Sequence, residues 1–166
     1  MSDNLDVLLS IAEISVAFAG FSGIITAVAG NKNSRWDAGN LSRFRLMIFS
    51  SLSAIVASLL PFAFLLNSNT INWTWCVSLL GFYLLGFSIY WIRTLILARH
   101  SLNNYVSLLV SILAILATLI QFIALMGFMD PSLGIYFLGV FYLFIQTLLA
   151  FMRLVTEAIL KANSTR

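Results

Sequence analysis

One cysteine and one histidine are all that the 166-residue chain contains of those residue types. Cys76 has no partner for an intrachain disulfide, and a Cys- or His-based metal cluster is out of reach within one chain. Charge is equally scarce: 9% of residues are Asp, Glu, Lys or Arg, against about 25% in soluble domains. With 61% hydrophobic residues and a mean hydropathy of +1.00, this excludes a large soluble domain. No glycine-rich phosphate loop is present, because Gly20 and Gly23 lie inside an apolar run, and no potassium-type filter motif or His-Glu zinc helix occurs. No nucleophile, base and orienting group can be assembled, so an enzyme, a cofactor and a bound metal are not expected.

What is there is a series of long apolar runs. The first, from about residue 5 to residue 29, is long enough as a helix to cross a hydrocarbon core of roughly 30 Å. Further spans are expected over 44–66, 73–98, 105–128 and 133–154. They predict an all-α integral membrane bundle of five transmembrane helices forming a single domain. Pro61 is expected to kink the outer end of the second span. Trp73 and Trp75 at one end of the third, with Tyr90 and Trp91 toward the other, match the interfacial belts that amphipathic rings prefer. From the inner end of the fifth span onward, Arg153, Glu157 and Lys161 fall at i, i+4 spacing on a helix leaving the membrane.

The net charge of +3 would suggest nucleic acid in a polar protein. Here the basic residues occupy loops and helix ends, so they read as topology signals and no nucleic-acid partner is expected. Five spans put all nine Lys and Arg on one side, with Asp3, Asp6 and Asp130 on the other. Positive charge marks the cytoplasmic side, giving an outside N-terminus and a cytoplasmic C-terminus. The tail before the first span has no Lys or Arg, so four spans plus a re-entrant or interfacial first helix satisfy the same count. The opening MSDNLD lacks a basic n-region, so the first span is expected to stay in the mature protein.

Within the first span Ser10, Glu13, Ala17, Gly20, Gly23 and Ala27 gather on one side of the helix. Small residues let another backbone come close, while a charged carboxylate facing acyl chains costs about 2.5 to 3.5 kcal/mol on insertion scales. Glu13 is therefore expected to face protein or water. It is either hydrogen-bonded to a neighbouring helix or forms an ion or proton site. By depth, Ser58, Gly81 and Gln121 are expected in the same layer as Glu13. Gln146, with Tyr142 and Arg153, would continue a polar line toward the cytoplasm. The plain alternative for Gln121 and Gln146 is helix-to-helix adhesion at about 0.6 kcal/mol each. Small residues at Ala17, Gly20, Gly23 and Gly81 are candidates for helix packing. Arg43, Arg45 and Arg153 are candidates for lipid phosphate or for an anion at the inner mouth.

The stretch AFAGFSGIITAV, a basic loop with Trp36, and RFRLMIFSSLSAIVASLLPF together cover about the first 65 residues. They resemble a family of small bacterial multi-pass membrane proteins. The resemblance implies a bacterial inner-membrane setting and brings no activity with it. Several small-polar helix faces, more than five helices bury among themselves, give the leading expectation of a homo-oligomer with an ion or proton pathway, Glu13 being its selectivity or protonation site. The alternative is a non-conducting subunit that binds a partner protein through its basic cytoplasmic face.

Overall fold

A computed structural model of the chain describes residues 3–30, 38–68, 71–97 and 105–164. Among them are five helices and no strand: α1 (Asp3–Gly30), α2 (Ala38–Ser68), α3 (Trp73–Leu97), α4 (Tyr105–Leu125) and α5 (Leu133–Ser164). Four carry apolar stretches long enough to cross a bilayer, namely Leu5–Ile24, Phe44–Leu66, Trp73–Tyr90 and Leu133–Thr156. The all-α, membrane-embedded fold class read from sequence is the one observed, and the chain is an integral membrane protein on the length and composition of these helices. The sequence left the first helix open as a span, yet α1 qualifies and the shorter apolar stretch, Leu109–Leu125, is in α4. The α4 helix as a whole has 21 residues, a rise of about 31 Å that matches a hydrocarbon core of roughly 30 Å.

Helix ends depart from hydropathy boundaries for identifiable reasons. α2 starts at Ala38, ahead of the expected 44, because a helix satisfies its own backbone groups and continues past the hydrocarbon edge. α4 stops at Leu125, short of the expected 128, although the residues that follow remain apolar. Gly127 adopts a φ of 84°, its N–H bonds the Ala124 carbonyl at 3.1 Å, and the Phe128 N–H bonds the Ile123 carbonyl at 3.3 Å. This is the Schellman arrangement, which needs a left-handed residue just past the helix. α3 is preceded by Asn72, whose carbonyl accepts from the Cys76 N–H at 3.3 Å and whose Oδ1 lies 3.5 Å from the Trp75 N–H, the geometry of an N-cap. α2 runs through Pro61 without interruption of the helix.

The chain forms two compact units, residues 1–59 with 143–166, and residues 60–142. In the first, Met47, Ala150 and Leu154 form a buried cluster with Phe44, Leu46 and Phe151 packed against it. α1 joins α5 there through rings: Phe18 lies 6.2 Å from Phe144 and 5.3 Å from Phe151. α2 joins α5 through a buried polar contact, Thr147 donating to Ser50 Oγ at 2.9 Å while Ser50 donates to the Leu46 carbonyl at 2.8 Å.

In the second unit α3 packs on α4. Cys76, Val77, Leu80 and Leu84 of α3 are buried, as are Val110, Ala114, Ala117 and Ala124 of α4. Phe82 meets Phe122 edge-on at 5.7 Å, and Trp73 lies 6.0 Å from Tyr136.

Candidate functional site

Three helices turn their small-polar faces inward. On α2 Ser50, Ala54, Ala57, Ser58 and Pro61 are buried; on α4 Ala114, Ala117, Thr118, Gln121 and Ala124; on α5 Gly139, Tyr142, Gln146 and Ala150. Each set repeats every three to four residues, so it occupies one helical stripe, and small side chains on it let neighbouring backbones approach.

α1 does the opposite. Its buried positions are Leu8, Ile11, Ala12, Ser15 and Ser22, while Ser10, Glu13, Ala17, Gly20 and Gly23 are exposed. At 100° per residue Glu13 points about 160° away from the centre of the buried stripe. A Cβ on Gly20 or Gly23 would meet nothing within 4 Å. The face that sequence assigned to helix packing is therefore uncovered by the described residues of its own unit, and it carries the carboxylate. Val16 and Ile24, 56% and 60% exposed, border the same face.

Of the groups expected beside Glu13, Ser58 belongs to the same unit. Ser58 is fully buried in the first unit, and its hydroxyl has no hydrogen-bond partner; an exposed Glu13 does not supply one. Gln146 of the same unit is 1% exposed with both amide atoms unpartnered, as is the buried Ser15 hydroxyl. Gln121 belongs to the second unit and is wedged between two glycines. Its Oε1 lies 3.1 Å from where a Cβ on Gly81 would sit, and its Nε2 occupies the place a Cβ on Gly139 would take. Gly81 and Gln121, expected at one depth, are in contact.

Arg45 is exposed on the first turns of α2, and Arg153 is half-buried on α5. The Arg43, Glu157 and Lys161 side chains lie outside the described ones, as does Trp36. Among the described residues no group of three or more His, Cys, Asp or Glu gathers. The Ser50–Thr147 contact is not readable from sequence: hydroxyls on membrane helices bond their own preceding turn equally well, and the Leu143 carbonyl, 3.0 Å from Thr147 Oγ1, competes with Ser50 for its one proton.

No family model matches the chain, and no curated protein or solved structure matches it significantly.

Proposed function

We propose that the protein works as a homo-oligomer in which copies meet through the Glu13 face of α1, and that the oligomer provides an ion or proton pathway with Glu13 as its ionisable group. The observation that carries this reading is the contrast between α1 and the other small-polar faces. Those on α2, α4 and α5 are buried; among the described residues the one with a carboxylate is exposed. A carboxylate facing acyl chains is costly, and an intramembrane ionisable residue is a functional site by default. Closed oligomers of membrane proteins place their rotation axis along the membrane normal. Each copy then contributes one Glu13 at one depth, across glycines that permit close approach.

The setting belongs to the same reading: a bacterial inner membrane, the N-terminus outside and the C-terminus cytoplasmic, with Arg43, Arg45 and Arg153 against lipid phosphates.

Two measurements test it. The mass of the purified protein in nanodiscs should be a multiple of 18.4 kDa. Reconstituted vesicles should then pass protons or monovalent cations, and Glu13→Gln should abolish or alter the flux. A monomer that co-purifies with another protein would overturn the reading in favour of a non-conducting subunit. An oligomer whose flux is unchanged by Glu13→Gln would remove Glu13 from the pathway.

A further inference from the structure

Three buried polar side chains of the second unit, one on each of α3, α4 and α5, have no protein partner. They are Ser88, Gln121 and Tyr142, exposed by 9%, 0% and 5%, with the two hydroxyls and both amide atoms unbonded. Their relative depths follow from contacts within the unit. Gln121 touches Gly81 on one side and Gly139 on the other, Leu80 touches Gly139, and Phe82 meets Phe122. Gly81, Gln121 and Gly139 therefore share a level.

Counting from that level at 1.5 Å per residue, Tyr142 lies about 4.5 Å farther along α5 and Ser88 about 10.5 Å farther along α3. α4 runs antiparallel to α3, so it presents Thr118 at the first of these depths and Ala114 at the second. Thr118 is satisfied by its own helix, donating to the Ala114 carbonyl at 2.8 Å. Both facing positions are buried.

The geometry points to a line of ordered water molecules inside the second unit, bridging the Gln121 amide, the Tyr142 hydroxyl and the Ser88 hydroxyl. One water accepting and donating at about 2.8 Å on each side joins polar atoms roughly 5.6 Å apart, so axial steps of about 4.5 and 6 Å, with the crossing from helix to helix added, call for more than one water per step. The groups also fit water better than a cation. The amide presents N–H donors as well as an acceptor, both hydroxyls do both, and no carboxylate is present to balance a charge. Buried polar groups in folded proteins are satisfied by protein or by water, and an internal water makes about three hydrogen bonds. The proposal is independent of the Glu13 reading, because it concerns a line within one chain.

Radiolytic hydroxyl-radical footprinting of the full chain in nanodiscs tests it, since radicals form on bound internal water and label the nearest side chain. Tyr142 should be modified at a rate approaching that of exposed Tyr90. An unmodified Tyr142 would overturn the proposal. Thermal unfolding of Tyr142→Phe and Ser88→Ala gives a second reading that does not depend on labelling. Where water satisfies the hydroxyls, each variant should melt lower by about 2 to 4 °C. Where the groups are dry, deleting an unpaired hydroxyl relieves its desolvation cost. A melting temperature that holds or rises would therefore overturn the water line.

Discussion

Gly139 of α5 is kept free of a Cβ by Gln121 of α4: the atom would fall on the Gln121 amide nitrogen and lie 2.8 Å from Leu80 Cδ2. Gly139→Ala should therefore overpack the second unit and cost about 1 to 3 kcal/mol, read as a lower melting temperature in detergent or nanodiscs. Adding Gln121→Ala should return part of that loss, because the clash needs both side chains. A double-mutant cycle with no coupling would place the strain elsewhere.

Gly81→Ala should be milder. The nearest atoms are Gln121 Oε1 at 3.1 Å and Gln121 Cβ at 3.5 Å, and the first is the tip of a flexible side chain that can move by a few tenths of an ångström. The expected loss is about 1 kcal/mol or less. A penalty as large as that of Gly139→Ala would mean that Gln121 cannot shift.

How much of this was legible depends on whether the deciding partner is encoded nearby. The inward stripes of α4 and α5 could be read directly, since Ala114, Ala117, Thr118, Gln121 and Ala124, or Gly139, Tyr142, Gln146 and Ala150, repeat at helical spacing and are buried. The same pattern on α1, from Glu13 through Ala17 to Gly20, says that a helix face wants close contact without saying with what, and the described residues leave it exposed. Helix ends were misjudged where the signal is conformational. Apolar Met126, Phe128 and Met129 hide the stop that Gly127 imposes on α4. The pairing of Ser50 with Thr147 spans 97 positions, and nothing in either neighbourhood selects the other.

That pair yields a bounded prediction. Thr147→Val keeps the shape and removes the hydroxyl, while Ser50 retains its bond to the Leu46 carbonyl, so no buried donor is stranded. The loss should be about 0.6 kcal/mol and no more than about 1.7, the range of interhelical hydrogen bonds in membranes. Adding Ser50→Ala should cost less than the sum of the two single changes if the contact forms in solution.

Gly127→Ala isolates the cap from packing, because Gly127 is exposed and a Cβ there would meet nothing within 4 Å. What remains is the left-handed φ of 84°, which costs an L-residue roughly 1 to 2 kcal/mol. The melting temperature should fall accordingly, and Gly127→Asn should fall less, since Asn tolerates that region. Equal effects of the two would argue that the turn rearranges when substituted.

The α1 face separates protomer stability from assembly. A Cβ on Gly20 would meet nothing within 4 Å among the described residues, and Ala in a helix interior is favoured over Gly by about 0.5 to 1 kcal/mol. Gly20→Ala should therefore leave the unfolding of the protomer unchanged or slightly more stable. Gly20→Leu adds bulk on the same side as Glu13 and Ala17, where a neighbouring backbone would have to approach. It should lower the mass measured in nanodiscs while the helical content stays intact. If Gly20→Leu assembles like the parent chain, the copies meet through another surface, and Glu13 must then be satisfied by lipid headgroups, water or a different protein.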